Sequence, residues 1–177
     1  DSNGSTLDES FTVTVNDVND NPEALDDTAS GDEDNDISGD VSLNDSDLDA
    51  TNGDATPAEH FSLHYVVDAD GDPSNGSVDM ADDGTYTYTP NQHWNGTDSF
   101  TYTVSDEAGG SDGATVTITV ESVNDTPVMT SINNQETDED SDITIVLSAS
   151  DVDIDENGQT LTYSAESSDE SLVTVST

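Results

Sequence analysis

A strand pattern and an acidic linker follow each other in Val116-Thr-Ile-Thr-Val120-Glu-Ser-Val-Asn-Asp125-Thr-Pro127. Apolar and polar residues alternate along the first half of this stretch, which is typical of a β-strand with one buried face. A repeat spacing of about 105 residues, which fits one β-sandwich domain, separates it from an earlier copy. That copy reads Phe11-Thr-Val-Thr-Val15, then Val18-Asn-Asp20 and Pro22.

Other pairs of motifs recur in the same register and divide the chain into repeats. Glu33-Asp34 returns as Glu139-Asp140, and Asp47-Leu-Asp49 returns as Asp151-Val-Asp153. Several matches in phase are poorly explained by chance. We therefore predict the C-terminal strand of a preceding repeat in residues 1–19, a complete repeat in 20–123 and the N-terminal half of the next repeat in 124–177.

Period-two alternation predicts further strands, and turn signals such as Asp83-Gly84 and Asn95-Gly96 separate them. No stretch keeps the 3.6-residue period of an amphipathic helix. The predicted fold class is all-β, with tandem Greek-key β-sandwich repeats. The alternating apolar sets are Phe61/Leu63/Tyr65/Val67, Tyr86/Tyr88, Phe100/Tyr102/Val104, Ile143/Ile145/Leu147 and Leu161/Tyr163.

The charge balance excludes several functions. The chain has 42 Asp and Glu residues and no Lys or Arg, so its formal net charge is −42. Nothing can neutralise phosphate, so we expect no nucleic acid partner. No apolar run approaches the ~18 residues of a membrane span, so we expect no direct membrane insertion. The absence of Cys excludes disulfides and a cysteine nucleophile, and we expect no enzymatic activity.

The acidic residues form motifs that favour calcium. Asp17-Val-Asn-Asp-Asn-Pro22 places several amide and carboxylate oxygens in a linker stiffened by proline. Asp47/Asp49 and Asp151/Asp153 are alternate residues, so in an extended chain both carboxylates of a pair face the same way. Calcium takes about 6–8 oxygen ligands, which a linker, one such pair and a distant carboxylate can supply. The alternative is that these residues only cap turns and solvate loops.

Four stretches carry a resemblance to known repeats. Asp17–Pro22 resembles the DxNDN-Pro linker of cadherins, and Leu147–Asp153, with Asn157, Leu161 and Tyr163, resembles the cadherin stretch A-x-D-x-D…N…L-x-Y. Asp83–Pro90 and Asn95–Asp106 resemble the bacterial cadherin-like (VCBS-type) repeats of large RTX-type surface adhesins. The resemblance implies cadherin/immunoglobulin-like sandwiches whose joints are made rigid by Ca²⁺.

The resemblance also implies two sets of ligands. Ser122 and Thr126 replace the first Asp and last Asn of the cadherin linker, so the second joint has fewer ligands. The first joint would use Asn19, Asp20, Asp47 and Asp49, with Asp17 and Asp106 helping. The second joint would use Glu33, Asn124, Asp125, Asp151 and Asp153, completed by the carbonyl of Asn157.

We therefore predict calcium-stiffened extender repeats of a secreted or cell-surface bacterial adhesin. The expected partners are Ca²⁺ and neighbouring repeats of the same chain, with any surface or glycan ligand bound through other domains. The alternative is a carbohydrate-binding accessory module of a secreted multidomain hydrolase. That function needs an exposed aromatic platform, and Trp94, the only Trp, fits better as a plug at the end of the sandwich.

Three weaker features stay open from the sequence. Asp68-Ala-Asp-Gly-Asp72 reads either as a calcium loop or as a hairpin turn. His60 and His64 would lie two pleats apart on one strand face, which disfavours a zinc site between them. The apolar faces in residues 1–15 and 124–177 are expected to be either mobile or paired with another copy.

Overall fold

The computed structural model describes residues 9–13, 18–48, 62–138, 140–154 and 160–164. Its regular elements are nine strands and a short 3-10 turn at Val41–Leu43. The strands are β1 (Asp27–Asp32), β2 (Ile37–Asp40), β3 (His64–Val67), β4 (Gly76–Met80), β5 (Thr85–Pro90), β6 (Gly96–Ser105), β7 (Ser111–Glu121), β8 (Val128–Met129) and β9 (Ala149–Ser150).

Two sheets form the domain. One has the strand order β1-β7-β6-β3, and the other has the order β2-β5-β4. Strand β1 runs parallel to β7, with Asp27 opposite Val116, whereas β6 and β7 are antiparallel, with Phe100 opposite Val116. Successive strands β1 and β2 lie in different sheets, as in a Greek-key sandwich. The predicted all-β sandwich is confirmed.

The core lies between the two sheets and comes from alternate residues of the long strands. Tyr86 of β5 meets Phe100 of β6 edge to face, with ring centroids 5.1 Å apart. The strands therefore bury one face each, as the alternation predicts. The largest fully buried side chains are Tyr88, Tyr102, Phe100, Ile118, Val41, Val104 and Val116.

One acidic residue, Asp98 of β6, lies inside this domain with only 7% exposure. Its carboxylate accepts hydrogen bonds from the backbone N–H groups of Ser74 (3.1 Å), Asn75 (2.7 Å) and Ser99 (2.9 Å) and from the Tyr88 hydroxyl (3.0 Å). Burial acts to raise the pKa of Asp98, but these hydrogen bonds outweigh it and hold the pKa below its ordinary value. The residue ties the loop before β4 to β6.

Several strand predictions are wrong. Residues 11–13 and 143–147 are not in strands, and Phe11 is 87% exposed. No strand among the described residues pairs with either segment, and a single strand is not stable without neighbours. Leu161 and Tyr163 also lie outside strands, while Phe61 and Val15 fall outside the described residues. Conversely, β1, β2 and β4 were not predicted. The sequences of β1 and β2 lack large alternating residues, whereas the alternating Val78 and Met80 of β4 were a signal that was missed.

Candidate metal centres at the two joints

The first joint lies where residues 18–25 run along one end of the sandwich. The Asn19 side-chain amide donates a hydrogen bond to Oδ2 of Asp106 (3.0 Å), and the Gly110 N–H donates to Oδ1 (2.7 Å). Asp106 is buried. Burial acts to raise its pKa, but these donors outweigh it, so the pKa of Asp106 lies below its ordinary value. The predicted ligands Asn19 and Asp106 are therefore in direct contact.

A glycine is required beside Asp106. A Cβ atom at Gly110 would clash with Oδ2 of Asp106 and lie 3.0 Å from Oδ1 of Asn21. The close approach brings an amide oxygen of the linker beside the carboxylate. The amide oxygen of Asn21, within the predicted linker, is thus a further oxygen atom near the carboxylate of Asp106.

The other predicted ligands of the first joint differ in their burial and in their distance from the linker. Asp47 is buried, and its neighbour Ser46 forms a two-bond bridge with Glu23, with N···O distances of 2.7 and 3.0 Å. This bridge fixes the linker beside the start of the DxD pair. Asp20 is exposed. Asp17 and Asp49 lie outside the described residues.

Glu33 is the first residue of the second joint, just after β1. Its side chain is 3% exposed, and its Oε1 accepts a hydrogen bond from the N–H of Val123 (2.7 Å). Its own N–H donates to the carbonyl of Glu121 (2.9 Å). The carboxylate is therefore held against the start of the linker that follows β7.

The linker continues this chain of contacts into the next segment. The N–H of Asp125 donates to Oδ2 of Asp153 (2.5 Å), and the N–H of Asp153 donates to Oδ1 of Asp151 (3.1 Å). Asp153 is 2% exposed. The Asn124 side chain donates to the carbonyl of Asp125 (2.6 Å). These four predicted ligands thus form one connected group, whereas Asn157 lies outside the described residues.

Sequence reasoning missed two residues at this joint, Asp34 and His93. The His93 Nδ1 atom lies 2.8 Å from Oδ2 of Asp125 and 3.2 Å from Oδ2 of Asp34. The three possible ligand atoms all lie within 4.8 Å of one another. Asp34 had a signal, since it belongs to the repeated Glu33-Asp34 pair. His93 had none, because only the fold brings the loop after β5 to this place.

His64 of β3 shows a different arrangement. Its Nδ1 hydrogen bonds with Oδ2 of Asp82 (2.8 Å), while its Nε2 lies 3.9 Å from Oε1 of Glu107. The hydrogen bond to Asp82, followed by the charge of Asp82, raises the pKa of His64. The two carboxylates lie on opposite sides of the ring, so they do not converge. His60 lies outside the described residues.

The loop of Asp68 has the geometry of a turn. The Gly71 N–H donates to the carbonyl of Asp68 (2.9 Å), and the Thr103 hydroxyl donates to Oδ1 of Asp68 (2.6 Å). Asp70 and Asp72 are exposed. These contacts are those of a turn between β3 and β4, but the two strands lie in different sheets, so the hairpin prediction is wrong. A calcium ion there stays a prediction.

Trp94 is partly buried and packs against the core. A Cβ at Gly96, where φ is +137°, would lie 3.1 Å from the Trp94 ring, so the ring covers this glycine closely. Trp94 is therefore a packing residue rather than a flat, exposed platform for sugar. The described part of the chain contains no helix long and apolar enough to span a bilayer.

One family model matches residues 19–122, which is more than half of the chain. The matching family is the bacterial cadherin-like domain, and the chain belongs to it. Domains of this kind are extender- or adhesion-type modules that are typically non-catalytic, generally extracellular and generally calcium-binding. A search of curated proteins finds no match.

Three solved structures share local similarity with the chain. The human desmocollin-1 ectodomain matches at 21% identity and a TM-score of 0.44, over 75% of this chain and 26% of that one. A nucleoside hydrolase-related protein of Saccharophagus degradans, described as associated with carbohydrate metabolism, matches at 14% and 0.40 (58% and 26% coverage). An endo-fucoidan hydrolase of glycoside hydrolase family 107 matches at 20% and 0.38 (58% and 14% coverage). The chain thus spans about a quarter or less of each structure.

Proposed function

We propose that this domain is a calcium-stiffened extender repeat of a secreted or cell-surface bacterial adhesin, with Ca²⁺ bound between successive repeats. The observation that carries the proposal is the contact chain Asp125–Asp153–Asp151, which begins beside Glu33. It connects acidic residues of the domain, its linker and the following segment. Any surface or glycan ligand of the adhesin would be bound by other domains.

The ligand chemistry at both joints fits calcium. Apart from His93, the side chains that meet there offer carboxylate and amide oxygens, which hard cations prefer. Glu33 and Asp153 are buried with one described donor to each carboxylate, and the chain has no Lys or Arg to pair with them. Burying an ionised carboxylate is costly unless a positive charge or several donors compensate. A divalent cation supplies that charge.

Such an ion would act mechanically rather than chemically. Ligands from two successive repeats on one ion remove the freedom of the linker to bend. Without the ion, carboxylates of both sides repel one another and the joint opens. Calcium that binds only the folded state also stabilises that state by mass action.

Removal of calcium tests the proposal directly. In thermal scans of the whole chain, saturating Ca²⁺ should raise the melting temperature by roughly 10 °C or more over the value in EGTA, as expected for ligand near 100-fold above its dissociation constant. Mg²⁺ should replace it poorly, because its small octahedral shell suits these sites badly. Equal melting temperatures with Ca²⁺ and with EGTA would contradict the proposal.

A double substitution tests the second joint. Asp151→Ala with Asp153→Ala should weaken calcium binding and, in small-angle scattering with Ca²⁺, give a more compact and broader size distribution. Asp138→Ala with Asp142→Ala is the matched control, since it removes two exposed carboxylates of the same segment. If both double variants keep the parent's calcium stoichiometry and its extended shape, Asp151 and Asp153 are not calcium ligands.

A further inference from the structure

A nitrogen atom lies among the carboxylates of the second joint. His93 Nδ1 faces Oδ2 of Asp125 at 2.8 Å and Oδ2 of Asp34 at 3.2 Å, from two different parts of the chain. Asp34 follows β1, His93 lies between β5 and β6, and Asp125 belongs to the linker after β7. The fold therefore brings three potential metal ligands from separate loops to one point.

Hydrogen bonding does not account for the place of the ring nitrogen beside the carboxylate of Asp125. Within the described residues, His93 Nδ1 and Asp125 Oδ2 are buried atoms without a hydrogen bond. Their 2.8 Å separation is short enough for one, so the angle is at fault: the ring N–H direction meets neither carboxylate oxygen. An ion on the nitrogen lone-pair axis, with an oxygen on each side, has this off-axis geometry.

The charges of the two carboxylates also favour a cation at this point. Two carboxylates within 4.8 Å repel each other, and in most proteins a lysine or arginine would compensate. This chain has neither residue anywhere in its 177 positions. The compensating charge therefore has to come from solution or from the imidazole itself.

We propose that Asp34, His93 and Asp125 bind a divalent transition-metal ion of the zinc class, at the joint where oxygen ligands alone would hold calcium. Imidazole nitrogen suits zinc, nickel and copper, whereas calcium is bound by oxygen. Tetrahedral zinc, with bonds of about 2.0–2.2 Å, separates neighbouring ligand atoms by ~3.3–3.6 Å, so the side chains would move apart by a few tenths of an ångström from the 2.8 and 3.2 Å distances here. Three protein ligands leave a fourth position for water or for another carboxylate.

The two ligands that belong to the domain, Asp34 and His93, share an uncommon backbone conformation. Asp34 (φ 58°) and His93 (φ 54°) both have left-handed backbones, and the His93 N–H donates to Oδ1 of Asp34 (2.9 Å). Non-glycine residues seldom adopt this conformation, and it is frequent at functional sites. Asp140, which corresponds to Asp34 in the following segment, has φ 61°. The acidic turn thus recurs.

A neighbouring amide can fix the state of the imidazole ring. The Gln92 side-chain nitrogen lies 2.9 Å from His93 Nε2. A half-turn of this amide brings its oxygen to the same place, where it accepts the Nε2 hydrogen and leaves the Nδ1 lone pair for a metal. Outer partners of this kind hold the ring in most histidine metal sites.

The test is a zinc titration by calorimetry, carried out without Ca²⁺ and again in excess Ca²⁺, because Asp125 is shared with the proposed calcium site. We expect one Zn²⁺ per chain in the parent and at least about tenfold weaker binding in His93→Asn, because a metal ligand is lost. Asn tolerates the left-handed backbone of His93, so the fold should be kept. The matched control is His64→Asn, which changes a histidine whose two carboxylates do not converge. Its zinc affinity should equal that of the parent.

A second variant and a second readout make the result decisive. Asp34→Asn, again compatible with a left-handed backbone, should also weaken zinc binding, while the calcium-dependent melting temperature of both variants stays near that of the parent. Ni²⁺ should quench the fluorescence of the neighbouring Trp94 in the parent and not in His93→Asn. Equal zinc affinity and equal quenching in parent, His93→Asn and His64→Asn would overturn the proposal. Asp125 belongs to both this site and the proposed calcium site, whereas Asp34 and His93 were not predicted as calcium ligands, so the His93→Asn and Asp34→Asn variants separate failure of the zinc proposal from failure of the calcium proposal.

Discussion

Two buried acidic regions of the domain, around Asp98 and at the second joint, differ in what compensates their charge. The Asp98 carboxylate accepts four hydrogen bonds from the domain's own backbone and from Tyr88. At the second joint, Glu33 and Asp153 are equally buried, yet each has one described donor to its carboxylate. Asp125 has a buried oxygen without a hydrogen bond.

The difference shows how a chain without basic residues can bury acids. One solution is to surround a carboxylate with N–H and O–H donors, which makes that part of the fold independent of solution ions. The other is to leave coordination sites open, so that order depends on a cation. The sandwich core uses the first solution. Under our proposal the joint uses the second, so the domain would stay folded while its joint responds to calcium.

The largest expected effect belongs to the core. Asp98→Ala removes the acceptor of four buried or partly buried donors, so the free energy of unfolding should fall by about 3 kcal/mol. The loss should be equal in Ca²⁺ and in EGTA, as urea titrations in both conditions would show. Asp79→Ala, which removes an exposed carboxylate of β4, is the control and should change little. A loss confined to calcium-containing solution would mean that Asp98 is itself a metal ligand.

Glu33→Gln should have an intermediate effect on the stability of the domain, and the sign of this effect should depend on whether Ca²⁺ is present. The amide oxygen can still accept the hydrogen bond from Val123, so the local structure is kept. With EGTA, loss of a buried charge should leave stability equal or higher. With Ca²⁺, loss of a charged ligand should lower both calcium affinity and melting temperature. The same change in both conditions would remove Glu33 from the proposed ligands.

Sequence patterns predicted the strands whose own residues show which face is buried. Strands β5, β6 and β7 carry Tyr, Phe, Val and Ile at alternate positions, and each buries that face. Strand β1 reads Asp-Thr-Ala-Ser-Gly-Asp and has no such signal. It is a strand because it pairs in parallel with β7, which is a tertiary effect.

The candidate site was predictable to a similar degree. Repeated motifs in register identified Glu33, Asp125, Asp151 and Asp153, and these residues do lie in one chain of contacts. His93 was not predictable, because a lone histidine in a polar loop carries no spacing signal. Only the β5–β6 connection and the course of the linker after β7 bring it beside Asp125.

A third acidic group, Asp27 and Asp45, is only partly compensated by hydrogen bonds. The Tyr102 hydroxyl contacts Oδ2 of Asp45 (2.9 Å) and Oδ2 of Asp27 (3.3 Å), so two carboxylates share one donor. Asp45 also accepts from the N–H of Leu25 (2.8 Å). Burial, and then the charge of Asp45, raises the pKa of Asp27 above its ordinary value, and burial likewise raises the pKa of Asp45.

The smallest expected effect is a gain in stability from Asp27→Asn. A carboxyl whose pKa is raised in the folded state favours folding while it is protonated, and this contribution is lost as the pH rises through the folded pKa. At neutral pH the ionised pair therefore costs stability, and Asp27→Asn should raise the free energy of unfolding in EGTA by less than about 1 kcal/mol. The gain should disappear as the pH falls below about 4, where Asp27 is neutral even in the unfolded chain. Urea titrations at several pH values, with Asp32→Asn of the same strand as the control, measure it. If Asp27→Asn instead destabilises the domain only when Ca²⁺ is present, the Asp27–Asp45 pair is itself a cation site, of the kind that we propose at the second joint.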